Sequence, residues 1–299
     1  MSSDEVVQQS SPQQRLAYEA RVRNRQTALA AAAGVLLILG VAIQLGGAHV
    51  NVNESTLGLI TEHKRFARDL IGSIATGLST IAVGATLQYL WGAARAREPN
   101  LRPSFMGWIA LGGGLIEGIS VVAYVIGFGS AANDFVSHGS QTYPEAHALL
   151  GRGSMLVPQI GNYLGLFIVA VALVLVSLGA MRVGLFTRFL GYLGIIAGVL
   201  TIIPLVPIPI VEAYWLLALA YLLSGRWPSG LPPAWTSGTS EPWPSSQQLR
   251  AARVQQQATR GGRARRAPQP APETAGAPAP TTNGRTRSTT AKRKRKRKK

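Results

Sequence analysis

The sequence predicts an all-α fold, a polytopic membrane helix bundle with about six transmembrane helices and a disordered basic C-terminal tail. Three observations predict it. Charged residues make up only 14% of the 299 positions, against about a quarter in soluble domains. Apolar runs of about 20 residues, the length that crosses a hydrocarbon core ~30 Å thick at ~1.5 Å per residue, recur as far as Ser224. The basic residues are segregated: 17 of the 30 Lys and Arg lie from Arg226 onward, so the net charge of +17 describes a tail and not a basic domain.

Residues 1–27 are polar and read as a cytoplasmic N-terminal segment, helical in part. The transmembrane domain, 28–225, contains candidate spans at 28–47, 70–93, 105–129, 155–180, 186–204 and 210–224. The first span is longer than the roughly 7–15-residue h-region of a secretory signal, so a retained anchor is expected, with cleavage near LGGA (Leu45–Ala48) as the alternative. The last, IVEAYWLLALAYLLS, is short and carries Glu212 near its start. Between the fifth and sixth runs lies PLVPIP, whose Pro204, Pro207 and Pro209 lack backbone donors and predict a tight hairpin turn.

Direction follows from the flanking cations, which stay on the cytoplasmic side. Ten Lys and Arg flank one side of the runs and four the other, counting Arg226 but not the remote tail. Both termini are therefore expected in the cytoplasm.

Helices in lipid associate through small residues that let backbones approach. Gly72, Thr76, Thr80 and Gly84 recur every fourth residue in the second run, which is expected to be central. Gly114 and Gly118, Gly161 and Gly165, and Gly194 and Gly198 repeat that spacing in the third, fourth and fifth.

Glu117 stands out in LGGGLIEGISVVAYVIGF. An isolated carboxylate at mid-bilayer costs at least ~2.5 kcal/mol, so it is expected to face protein or a wet cavity as a neutral hydrogen-bond donor. Gly113, Gly114, Ser120 and Tyr124 share its helical face. Counted from the outer ends, Glu117 lies about 18 Å deep, Thr80 about 16 Å and Asn162 about 10 Å, which allows the three to meet in one polar layer, with Gln159 and Tyr163 beside Asn162. Two roles stay open for Glu117, interhelical glue and a proton or cation relay.

The four histidines, His49, His63, His138 and His147, fall in predicted outer segments among several acids, but their spacing matches no metal motif, and no metal or cofactor is expected. YPEAHALLGRG from Tyr143 predicts a short interfacial helix. There is no cysteine, no GxxxxGK[ST] loop and no GxSxG turn, which leaves enzyme readings with little support. GFGSAA at Gly127 matches a loose dinucleotide fingerprint but follows no strand.

Residues 226–299 begin as a Trp/Pro-rich strap. Trp227 is expected at the headgroup level, with Trp235 and Trp243 on an extended stretch across the cytoplasmic surface. APQPAPETAGAPAPTTNG has almost nothing to bury and is expected to be disordered. The chain ends Lys292, Arg293, Lys294, Arg295, Lys296, Arg297, Lys298, Lys299. Such a block is solvated, or attracted to anionic lipid headgroups at about 1 kcal/mol per residue, or bound to nucleic acid without sequence preference.

MRVGLFTRFLGYLGIIAGVL, followed by VEAYWLLALAYLLSGRWPSGLPPAW and EPWPSS, resembles a group of uncharacterised bacterial multi-pass membrane proteins over residues 181–246. The resemblance implies a bacterial inner-membrane location; it assigns neither an activity nor any residue. Together these readings lead to the expectation of a non-enzymatic structural or scaffolding membrane protein, its tail on anionic lipid or another acidic partner. A small-solute or proton permease using Glu117 is the alternative.

Overall fold

The computed structural model describes residues 11–45, 55–203, 209–228 and 230–241. It is all-helical among these residues: α1 Pro12–Leu45, α2 Ser55–Arg97, α3 Met106–Ser137, the short α4 Tyr143–Leu150, α5 Gly153–Arg182, α6 Arg188–Ile202, α7 Ile210–Leu223 and the one-turn α8 Ala234–Ser237. Four of them, α1, α2, α3 and α5, are long and apolar enough to cross a membrane. Helices α6 and α7 are apolar but have only 15 and 14 residues.

The long helices outrun their apolar stretches, and local chemistry shows why. Helix α1 starts at Pro12 because Ser11 and Gln14 form a reciprocal cap: the Gln14 N–H donates to Ser11 Oγ (3.4 Å) and the Ser11 N–H donates to Gln14 Oε1 (3.1 Å). Pro12 occupies the first helical position, where a missing donor costs nothing. Residues 12–27 of the expected cytoplasmic segment and 28–45 of the expected first span are thus one helix of 34 residues. Helix α2 has 43 residues, about 65 Å. Its first turns carry charge rather than an apolar run, but they bury Leu59 in a small second core with Ala131, Ala132 and Phe135 of α3 and Ala146 and Leu149 of α4. That core carries α2 and α3 beyond the apolar stretch. In α4, Pro144 lies in the first turn and Gly151 is the C-cap.

Helix α2 packs on α1, α3, α4 and α5; α3 also packs on α5, α5 on α6, α6 on α7, and α7 back on α1. The helices therefore form a closed ring, with α2 and α5 touching across it. We call the end where α1 begins and α2 ends the basal end. The main core lies in the basal half, where Leu87, Leu90, Leu173, Trp215, Leu216 and Leu219 are fully buried.

Trp235 corrects the picture of an extended surface strap. It lies in α8 and is only 5% exposed, packed into the main core. The aromatic ring supplies apolar area, and its one polar atom is satisfied, since Nε1 donates to the Leu185 carbonyl at 2.9 Å. Trp243, the PLVPI part of the expected hairpin, His49 and the basic run 292–299 lie outside the described residues.

Candidate functional site

The layer around Glu117 is assembled by glycine contacts. On α2, Gly77 faces Gly118 of α3: a Cβ on either would lie 2.6 Å from the other's carbonyl oxygen. A Cβ on Gly165 of α5 would lie 2.5 Å from the Glu117 nitrogen. On the other side of α2, the Ser79 hydroxyl donates to the Ala33 carbonyl of α1 at 2.7 Å. Gly34 of α1 meets Ala213 and Leu217 of α7. These contacts set Glu117 of α3 and Glu212 of α7 at one level of the bundle. Glu117 Oε2 is buried with no hydrogen-bond partner.

The polar group expected around Glu117 is only partly assembled. The Thr80 hydroxyl donates within its own helix, to the Thr76 carbonyl at 3.0 Å, because a helical threonine reaches the preceding turn more readily than a neighbouring helix. Gln159 and Asn162 are half-buried, Tyr163 is 63% exposed, and none hydrogen-bonds to Glu117. Gly161 instead brings α5 against Ser120. The acid at the same level of the bundle is Glu212 of α7, which the spacing of residues along one helix could not reveal.

The small-residue positions are used as close approaches, but the stripe on α2 divides. Gly72 and Thr76 meet Gly40 of α1, whereas Gly84 and the Thr80 carbonyl meet Gly114 of α3. Four residues turn a helix by about 400°, so each step drifts roughly 40° and the stripe rotates about 120° from Gly72 to Gly84. One face thus serves two neighbours. Gly194 faces Ser177 and Trp215, and Gly198 faces Ala170 and Val174.

A second polar centre closes the basal end, and sequence reading missed it. Arg97, in the last turn of α2, holds Glu19 of α1 through two bonds, Nη1 to Oε1 at 2.6 Å and Nη2 to Oε2 at 2.7 Å. Both residues are buried. Arg97 also donates to the Ala234 carbonyl from Nε and Nη2 at 3.0 and 2.8 Å and to the Ala93 carbonyl at 2.9 Å. Its guanidinium lies 5.2 Å from the centre of the Trp235 ring, which stacks in turn on Tyr89. A planar guanidinium with five donors suits this bidentate, stacked arrangement, where a lysine would supply one point charge. The only sequence signal was a lone acid in RLAYEARVRNR.

At the opposite end, His63, His138 and His147 are exposed. His147 packs on the Tyr143 ring at 5.4 Å. Asp134 pairs with Arg152 at 3.0 Å. Among the described residues no three His, Asp or Glu side chains gather as a metal site.

Comparison of the chain with protein-family models, with curated proteins and with solved structures finds no match. The fold itself defines a class, an all-helical protein with four helices suited to a membrane.

Proposed function

We propose that this is a non-enzymatic structural or scaffolding protein of the bacterial inner membrane, crossing it six times with both termini in the cytoplasm and its basic tail on anionic lipid. The observation that carries this reading is the ring itself. Backbone contacts through glycine join α1 to α2, α2 to α3, α3 to α5 and α5 to α6. Contacts this close favour a fixed assembly, since backbone cannot yield as a flexible side chain can. Helices α6 and α7 cover only about 22 and 21 Å. They cross as the final pair by local thinning of the bilayer and by the flanking residues reaching the interface.

The chain has no cysteine, so single introduced cysteines report topology directly. His138→Cys and Val206→Cys are expected to react with a membrane-impermeant maleimide on intact spheroplasts, and Ser246→Cys only after permeabilisation. Labelling of Ser246→Cys but not His138→Cys in intact spheroplasts would reverse the orientation.

The second reading, a proton or small-cation permease, is favoured by the buried, unpartnered oxygen of Glu117 and by Glu212 in the same layer. Intramembrane carboxylates commonly mark ion pathways. Reconstitution into liposomes separates the two readings. The scaffold predicts no proton or cation flux above that of protein-free vesicles, and Glu117→Gln leaves assembly unchanged. A pH-dependent flux that Glu117→Gln abolishes would replace the scaffold with the permease.

A further inference from the structure

A cleft of about 330 Å³ opens at the basal end between α1, the end of α2 and the start of α3. Its size falls within the roughly 300–1,000 Å³ of small-molecule sites. Four of the residues that line it carry a polar atom with an uncommon property. Gln26 Oε1, Tyr89 Oη, Trp91 Nε1 and Arg95 Nε are buried and have no hydrogen-bond partner. Trp91 as a whole is only 3% exposed. The far edge of its ring, at Cζ3, packs on Gly179 of α5, which leaves Nε1 on the opposite side. Buried polar atoms are almost always paired, so four around one cleft mark a wall built for a polar guest.

The charge of that wall gives the sign of the guest. Arg95 lines the cleft, whereas Glu19, its acid, is already paired with Arg97. Arg95 donates from Nη1 to the Ser104 carbonyl, which fixes its guanidinium beside the cleft. Three of the four unpartnered atoms are N–H or O–H donors, and Gln26 presents a donor as well when its amide is turned over. A fixed cation with unpartnered donors around the same cleft matches an anion rich in acceptor oxygens.

Depth identifies its carrier. The apolar runs begin at 28, end at 93 and resume at 105, and Gln26, Trp91, Arg95, Ser104 and Gly107 of the cleft lie within two residues of those boundaries. Phe105 and Trp108, 58% and 60% exposed, stand at the start of α3, with Trp108 on the cleft wall. An aromatic at this level is the usual mark of a membrane interface. We propose that this cleft binds a phosphate group, presented by the headgroup of an anionic phospholipid. The inference rests on the membrane reading of the bundle and not on any role for the tail.

The test uses the full chain purified in detergent, with binding of dioleoyl phosphatidylglycerol followed by native mass spectrometry. One lipid per chain is expected to bind saturably. Arg95→Gln, which removes a charged donor, is expected to weaken it by about tenfold or more. Gly92 lines the cleft and has nothing within 4 Å of a Cβ, so Gly92→Leu fills the space without a clash and is expected to abolish binding, while Gly92→Ala retains it. Replacing all of Lys292–Lys299 with Gln is expected to leave the affinity unchanged. Parent-like binding by Arg95→Gln and Gly92→Leu, or loss only in the tail variant, overturns the proposal; should Gly92→Leu fail to elute as a monodisperse peak, Arg95→Gln decides. Displacement of the lipid by millimolar inorganic phosphate would assign the site to a free anion and overturn the lipid carrier. Extraction of the parent chain by a carbonate wash would instead strike at the membrane reading, an outcome separable from the others.

Discussion

Arg97→Ala is expected to destabilise the bundle by about 3–5 kcal/mol, the cost of breaking a buried ion pair from one side. The loss has several sources. Glu19 would remain buried with its charge uncompensated, the Ala234 carbonyl would lose both donors from Arg97, and the Trp235 ring would lose its cation. The measurement is the unfolding midpoint of the detergent-purified chain, with the yield of monodisperse protein as a second readout. Arg97→Lys is expected to recover only part of the loss, because an ammonium cannot reproduce the two parallel bonds to Glu19. The double variant Glu19→Gln, Arg97→Met, which removes both charges, is expected to be more stable than Arg97→Ala, since replacing both partners avoids the stranded charge. Equal midpoints for the parent and Arg97→Ala would show that the pair does not hold the basal end.

Gly118→Leu is expected to cost about 3 kcal/mol or more, above the usual range for overpacking. The reason is what the new atoms meet. A Cβ there would lie 2.6 Å from the Gly77 carbonyl oxygen and 2.7 Å from Ile81 Cγ1, so α3 must move away from α2 along its length. The movement would also pull Glu117 from its contact with Gly165. By contrast Gly112, with nothing within 4 Å, is expected to tolerate leucine with little change. A thermal or denaturant midpoint for both variants checks the pair; similar shifts for Gly112→Leu and Gly118→Leu would remove the argument from close packing.

The helical segments were legible because hydrocarbon makes the same demand of every crossing, and that demand is local. Residues 70–93 and 155–180 fall inside α2 and α5, and 105–129 falls inside α3 but for Phe105, its N-cap. The extensions were less visible. Ser11 and Gln14 are a local cap that sequence contains, but the reach of α2 back to Ser55 depends on Phe135 and Leu149, far away in the chain. At the site, the glycine spacing announced close approaches without saying which helix would answer, since the drift of a four-residue stripe sends Gly72 to α1 and Gly84 to α3. Glu117 was visible as a misplaced acid. Its companion Glu212 was hidden because their shared layer depends on the ring closing, and the bond from Arg97 to Glu19 bridges 78 positions that no periodicity links.

The adjacency of α1 and α7 has a consequence for biogenesis. Helix α1 leaves the ribosome well before α7 and keeps one flank without that neighbour until α7 is synthesised, and Arg97 donates to the Ala234 carbonyl only after that. A nascent chain halted before residue 213 therefore presents Gly34 to lipid or to an insertion chaperone, which makes synthesis of α7 a condition for closing the seam.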